Sequence, residues 1–306
     1  MLSRESKLLI TKIFSFFSVI RGYNVLVIAV AQYLAAIFIL SPEIRALDVI
    51  LDYQLFILVI ASSLTIASGY IINNFYDAKK DLINRPRKVM IDRLVSQQTK
   101  LKVYFTINFI VALIASFVSW RATVFFSVYI FFIWFYSHKL KKYPIIGNIT
   151  ASILAVLPFF AILLYYKNFY HVIFVHAIFL FLLILIRELI KDLENIEGDL
   201  VANYRTIPVL FGEKTAKIII TILTIATIIP VYFLVDVFDV GYMDLYFYVS
   251  LISLIFFIIK LWESHSKPAY LKLHFLLKFI ILAGVFSIVL IEPTVLLHGK
   301  KLISTY

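Results

Sequence analysis

Residues 54–81 read QLFILVIASSLTIASGYIINNFYDAKKD. Positions 54–73 are almost entirely apolar or small, and a helix needs about 20 such residues to cross the hydrocarbon of a bilayer. Oxygen-bearing side chains crowd its end: Asn73, Asn74, Asp77 and Asp81, with Asn84-Arg85-Pro86 just beyond. At about 100° per residue, this polar set falls within about a quarter of a helix circumference. The stretch predicts a membrane-crossing rod with an acidic stripe at one end, because only helices and closed barrels satisfy every backbone group in lipid.

Working outward, eight further stretches have the same apolar character, near 22–40, 101–119, 121–137, 145–166, 171–190, 216–235, 244–262 and 277–297. The composition agrees. Of 306 residues 62% are hydrophobic and 15% charged, with a mean hydropathy of +0.97, whereas globular chains are about half apolar and about a quarter charged. A soluble enzyme, a disordered tail and a disulfide-stapled secreted module are excluded. The absence of cysteine also excludes thiolate nucleophiles, zinc–thiolate sites and iron–sulfur clusters. The expected fold is all-α, a polytopic bundle of nine transmembrane helices forming a single domain over 1–306. Lys12 interrupts the first apolar run and no small-residue cleavage site follows, so the first 20 residues are expected to lie at the interface as a lead-in.

The few charges are unevenly placed. Lys and Arg number 29 against 18 Asp and Glu, a net +11. With the N-terminus inside, every Lys and Arg except Arg45, Arg121, Lys167, Lys300 and Lys301 falls in or beside a cytoplasmic connection. The expected topology is a cytoplasmic N-terminus and a C-terminus on the opposite side, in the cell (inner) membrane, with much of the surplus charge serving orientation and attraction to anionic lipid.

A second acidic cluster, Arg187-Glu188-Leu189-Ile190-Lys191-Asp192-Leu193-Glu194-Asn195-Ile196-Glu197-Gly198-Asp199, follows the sixth stretch. Glu188, Asp192, Asn195 and Asp199 share one helical face, while Glu194 and Glu197 point the other way and are expected to be solvated partners of nearby lysines. Asn74, Asp77 and Asp81 have the same three-then-four spacing as Asp192, Asn195 and Asp199. Two related halves, each presenting an acidic helix end to one central site, would explain this. Hard oxygen donors suit Mg²⁺, which commonly joins a few carboxylates to a substrate phosphate. Lys79, Lys80, Arg85, Arg87, Lys88, Lys139, Lys141, Lys142, Arg187, Lys191 and Arg205 are placed to hold phosphate oxygens. The pattern fits a diphosphate bound through metal. His138 lies beside this site, whereas the other histidines lack ligand spacing. No Walker loop or dinucleotide fingerprint occurs, and basic clusters interrupted by spans make a nucleic-acid partner implausible.

These residues resemble the UbiA family of intramembrane prenyltransferases along nearly the whole chain. Asn73, Asp77 and Asp81 match its first motif and Asn84-Arg85-Pro86 the usual continuation; Asp192 and Asp199 match the second, followed by Arg205-Thr206-Ile207-Pro208-Val209-Leu210-Phe211-Gly212. Lesser matches are Arg21 with Asn24, Tyr136-Ser137 with Leu140-Lys141, and Gly147-Asn148. The sequence departs from the family at Asn74 and Asn195, where aspartate is usual, at Gly22, where proline is common, and at Met90–Leu94, where a Pro-Ser-Gly-like stretch is often found. Two amides in place of carboxylates would weaken metal binding.

The resemblance implies transfer of a polyprenyl group from its diphosphate to a lipophilic acceptor within the bilayer. It assigns Asn73, Asp77, Asp81, Asp192 and Asp199 as Mg²⁺-linked ligands, with Glu188 as a further member. It also implies that Lys141, Arg85 and Arg205 hold the diphosphate and that Arg21 and Asn24 face the acceptor's polar head. Tyr70, Tyr76 and Tyr136 flank the motifs, where an aromatic face can shield a cation-like carbon. Among acceptors the motif wording is most like the branch acting on a prenylglyceryl phosphate. An aromatic acceptor of quinone synthesis (a hydroxybenzoate or naphthoate) and a non-catalytic lipid binder or transporter with a degenerate site are the alternatives.

Overall fold

The computed structural model describes the backbone of residues 4–297 and the side chains of 11–295. The charges of Arg4, Lys7, Lys300 and Lys301 lie outside these described side chains. A helix α1 (Arg4–Val19) leads into α2 (Gly22–Ala35), which ends in a π-helical turn at Ala36–Leu40. There follow α3 (Ala46–Leu51), α4 (Tyr53–Tyr76), α5 (Ala78–Asn84), α6 (Pro86–Asp92), α7 (Gln97–Ser116), α8 (Trp120–His138) and α9 (Ile146–Tyr166). The remainder comprises α10 (His171–Glu194), α11 (Ile196–Val201), α12 (Ile207–Ala226), α13 (Ile228–Tyr232), α14 (Asp244–Glu263), α15 (Lys267–Ser287) and α16 (Thr294–Leu297). Among the described residues nine helical segments are long and apolar enough to cross a membrane: Gly22–Leu40, Tyr53–Tyr76, Gln97–Ser116, Trp120–Lys142, Ile146–Tyr166, His171–Glu194, Ile207–Val237, Gly241–Glu263 and Lys267–Ile291.

Local chemistry sets several of these boundaries. Asp52 accepts from the backbone N–H groups of Gln54 and Leu55, while Ser96 and Ser119 do the same for Thr99 and Ala122. Each satisfies donors that a helix start leaves unpaired. The ninth span begins near 267, not 277, because hydropathy measures apolar length whereas a helix continues as long as its backbone bonds close. The seventh, expected from 216, is entered through a turn from Ile207 that the non-helical Gly212 (φ 82°, ψ 165°) kinks away from the rest of α12. The charged lead-in of α12 finds partners inside the protein: Lys217 reaches Glu213 at 2.7 Å and the Ser264 carbonyl at 2.5 Å. The ninth span stops before Glu292-Pro293 rather than at 297, since the residue preceding a proline is biased away from helix.

The expected two-half organisation is visible in the helix boundaries. α4 and α10 are each 24 residues long, and 118 positions separate Tyr53 from His171, Tyr76 from Glu194, and Ala78 from Ile196. Each helix anchors its own apolar core. Leu58, Ala61 and Ile71 of α4 pack with Val111, Ala115, Phe126 and Tyr129; Leu183, Ile186 and Ile190 of α10 pack with Phe247, Phe257, Leu261 and Leu277. The connections following α4, α8, α10 and α14 meet at one end of the bundle. There the Arg205 N–H donates to the Lys142 carbonyl at 2.8 Å, and Lys267 donates to the Asn84 carbonyl at 3.1 Å. Gly198 of α11 lies so close to Asn84 of α5 that a Cβ would strike its amide.

Within the spans, side chains reach backbone carbonyls around a proline. Pro158 has no N–H, so the Leu154 carbonyl one turn earlier loses its helical donor. Tyr129 donates to that carbonyl at 2.7 Å, and Gln32 donates to the Pro158 carbonyl at 2.9 Å. Tyr129→Phe is expected to cost about 0.6–1.7 kcal/mol, read as a lower thermal midpoint in detergent. An unchanged midpoint would show that another donor reaches Leu154.

Candidate active site

The two acid-ended helices break at equivalent residues. Asp77 separates α4 from α5 with φ −85° and ψ 1°, and Asn195 separates α10 from α11 with φ −114° and ψ 16°. The i to i−4 bonds persist nearby, from the Asp77 N–H to Asn73 at 2.9 Å and from the Asp199 N–H to Asn195 at 3.0 Å. The stripes are therefore bent rather than broken. α5 and α11 pack against each other, and beside them lies a polar cavity. Arg21, Asn73, Asp77, Lys80, Asp81, Arg85, Tyr136, Lys141, Asn148, Glu188, Lys191, Asp192, Asn195, Tyr204 and Thr206 all line it.

Lysines sit directly on the carboxylates. Lys141 donates to Asp77 Oδ1 at 2.7 Å and to Asn73 Oδ1 at 2.9 Å, and Lys80 pairs with Asp199. Gly147 makes room for the Lys141 backbone: a Cβ there would lie 3.2 Å from the Lys141 Cα. Asn148 donates to Asp192 Oδ2 at 2.8 Å. Glu188 is held between Arg187 at 3.0 Å and Lys191 at 2.5 Å, so it orients cations as much as it offers oxygen. Arg85 reaches Glu194 at 3.3 Å while still lining the cavity. Arg21 occupies a left-handed turn (φ 51°) that aims its guanidinium over Tyr70, 5.0 Å from the ring centre. Gly22 follows because the Phe17 ring fills the space a Cβ would need.

Charge state follows from these contacts. Burial alone would push the Asp77 carboxyl up; the Lys141 and Lys80 charges, with hydrogen bonds from Lys141 and Tyr204, outweigh it and hold the group below its ordinary range. Asp81 goes the other way, raised by burial and by the neighbouring Asp77 charge. Asp199 is also raised, by burial that Lys80 only partly offsets. Burial, then Asp77, keeps the Tyr204 phenol protonated as a donor.

Not every expected residue reaches the cavity. Asp199 is fully buried behind Lys80 and does not line it. Arg205 is exposed. It lies between the inward-facing Tyr204 and Thr206, as the alternation of an extended segment requires. Asn24 bonds the Tyr70 hydroxyl at 3.4 Å outside the cavity lining. Asn74 turns away from the stripe, accepting from buried Lys100 at 2.9 Å and donating to Asp92 at 2.8 Å. Its position around the helix permits this because it lies about 100° from Asn73. Glu194 is not a solvated partner but buried, bridging Arg85 and His274, the latter at 3.1 Å. Tyr204 carried no sequence signal: a lone tyrosine before Arg205 shows nothing until the fold delivers it to Asp77, where its hydroxyl donates at 2.9 Å.

The donor set suits a hard cation. Among the described residues no three His, Asp or Glu side chains converge on one point. What the cavity offers is one or two carboxylates at a time, with the amide groups of Asn73 and Asn195. That fits Mg²⁺, which commonly takes its remaining oxygens from phosphate and water.

Residues 25–281 match the UbiA prenyltransferase family. The chain belongs to that family. One relative, the digeranylgeranylglyceryl phosphate synthase of Methanobrevibacter smithii, is 30% identical over 295 residues, covering 88% of this chain and 97% of that protein. Among solved structures, one described as digeranylgeranylglyceryl phosphate synthase in membranes has a TM-score of 0.69 at 20% identity, covering 92% of this chain and 98% of that one. A UbiA homolog from Archaeoglobus fulgidus bound to DMAPP and Mg²⁺ has a TM-score of 0.66 at 15% identity, covering 90% and 99%. At these identities the solved structures establish a shared UbiA fold, and the family membership makes this chain a prenyltransferase.

The family's usual aspartate at position 74 would not serve the cavity here. In Asn74→Asp a carboxylate would replace the amide that donates to Asp92, putting like charges together beside buried Lys100. This variant is expected to lose about 1–3 kcal/mol of stability. The exchange Asn74→Asp with Asp92→Asn is expected to recover most of it, as measured by thermal midpoints.

Proposed function

We propose that this prenyltransferase carries a polyprenyl group from a polyprenyl diphosphate to a prenylglyceryl phosphate, a transfer that would yield the kind of product for which its digeranylgeranylglyceryl phosphate synthase relatives are named. The observation that carries this reading is the junction of α4 and α10. Two acidic helix ends from separate halves meet over one cavity whose lysines contact the carboxylates. Deeper along the same bundle, an apolar pocket is lined by Ala31, Phe159, Phe179, Leu183, Phe247 and Val285 among others. Leu183 is about 14 Å along α10 from Asp192 at ~1.5 Å per residue, a depth suited to hydrocarbon below a charged head.

Asn73, Asp77, Asp81 and Asp192 would hold Mg²⁺, joined by Asp199 once Lys80 moves aside. When bound, the metal neutralises charge developing on the departing diphosphate oxygen. Lys141, Lys80, Lys191 and Arg85 hold the phosphate oxygens left uncovered by the metal. Tyr136 presents its ring at the cavity wall, where the reacting carbon gains positive character. Arg21, which lines the cavity and sits over Tyr70, would take the anionic head of the acceptor. The apolar spans keep water from that carbon, so the acceptor hydroxyl attacks it instead as the carbon–diphosphate bond breaks, and the hydroxyl proton leaves with the released diphosphate.

Membranes supplied with labelled prenyl diphosphate are expected to form product with prenylglyceryl phosphate, and chelation of Mg²⁺ should abolish it. Asp77→Ala and Asp192→Ala are expected to lower turnover by about 10²-fold or more. Product formed only with an aromatic acid would move the acceptor assignment to quinone synthesis. Diphosphate release indifferent to both substitutions would favour a lipid binder.

The cavity is proposed to open to the cytoplasm, with the N-terminus on that side, because the basic connections gather at its end of the bundle. The chain contains no cysteine, so single cysteines introduced between 77 and 100 report sidedness without background. Labelling from outside intact cells would reverse the topology.

A further inference from the structure

We propose that Tyr204 is a positioning residue that aims Asp77 at the metal–diphosphate and holds the cavity lysines ready to pass from carboxylate to phosphate. This rests on the prenyl-transfer reading above. Tyr204 is buried, with 4% of its surface exposed, and its backbone is pinned to both sides of the site. Its N–H donates to the Asp199 carbonyl at 2.8 Å, and the next N–H, of Arg205, donates to the Lys142 carbonyl at 2.8 Å. The side chain therefore has a fixed origin between α11 and the turn after α8.

From that origin the hydroxyl donates to Asp77 Oδ1 at 2.9 Å, the same oxygen that accepts from Lys141 at 2.7 Å. Two donors converging on one oxygen fix the rotation of the carboxylate and leave Oδ2 available to a cation. The ring has a separate role. Lys80 lies 4.7 Å from its centre, and Lys141 and Lys142 lie 6.0 Å from it. Lys80 and Lys141 are at the same time bound to Asp199 and Asp77.

With a diphosphate and metal bound, the carboxylates would hold the metal and the ammonium groups would turn to the phosphate oxygens. Three cations held close together repel one another during that exchange. A carboxylate at position 204 would gather the lysines by neutralising them and would compete with the diphosphate. An aromatic face attracts them through its quadrupole while leaving their charge intact. Tyr204 thus combines a donor that orients a ligand with a face that stages the lysines, and the two parts can be separated by substitution.

The test uses the purified full-length chain in detergent, with Mn²⁺ and a non-hydrolysable prenyl thiodiphosphate as probes in titration calorimetry, and thermal midpoints alongside. Tyr204→Phe keeps the ring and removes the bond to Asp77. It is expected to raise the Mn²⁺ Kd by about tenfold while leaving the thiodiphosphate Kd at saturating Mn²⁺ within about twofold. Tyr204→Leu removes both parts and is expected to raise the thiodiphosphate Kd as well, by about threefold to tenfold. Wild-type Mn²⁺ affinity in Tyr204→Phe overturns the proposal whether or not the leucine variant folds. A lowered midpoint with both affinities unchanged also overturns it, leaving Tyr204 a packing residue. If the unsubstituted chain binds neither probe, the prenyl-transfer reading fails and this proposal with it.

Discussion

Hydrocarbon offers no hydrogen-bond partner to a peptide group and no solvation to a charge, and the architecture answers both restrictions. Backbone groups close within helices, and where Pro158 interrupts the pattern, Tyr129 and Gln32 donate to the neighbouring carbonyls. Charges are driven to helix ends. Since adjacent spans run in opposite directions, the ends of α4, α8, α10 and α14 share one face, and their polar residues concentrate there. The site is thus a consequence of the solvent as much as of any individual motif.

At that face the difficulty changes from solvation to charge balance. Asp77, Asp81, Glu188, Asp192 and Asp199 lie close together, and as bare carboxylates in a half-buried cavity they would repel one another and any diphosphate. Lys80, Lys141, Lys191 and Arg187 are interleaved with them, so each buried carboxylate that the lysines touch is compensated. Opposite environments result for neighbours in one motif: Asp77, beside Lys141, is held below its ordinary range, and Asp81, beside Asp77, above it. The interleaving keeps both acids and bases in reach of the cavity without a large net charge in it.

Much of this was legible from spacing. The oxygen stripe ending the second span, its counterpart at Asp192 and Asp199, and the shared three-then-four spacing depend on helical periodicity alone, and α4 and α10 do repeat at 118 positions. Asn73, Asp77, Asp81, Glu188 and Asp192 reach the cavity because their angular positions on those helices require it. Residues in irregular connections were less legible. Arg205 and Tyr204 are neighbours in an extended segment, so an error of one position exchanges the residue facing the cavity for the one facing solvent. Asn74 and Asp199 show a second limit: a helical wheel gives a direction but not what stands in that direction, whether the Lys100–Asp92 pair or the Lys80 ammonium.

By itself the sequence determined that this chain crosses a membrane and that two acidic helix ends repeat one spacing 118 positions apart. Those properties follow from hydropathy, periodicity and charge, which act along the chain. Tertiary structure alone decided which carboxylates are accessible, which cations neutralise them, and that Tyr204 joins Asp77 to three lysines. The contacts of Asp77 with Lys141 and Tyr204 span 64 and 127 positions of the chain, and their distances are set by how the helices pack rather than by any local preference.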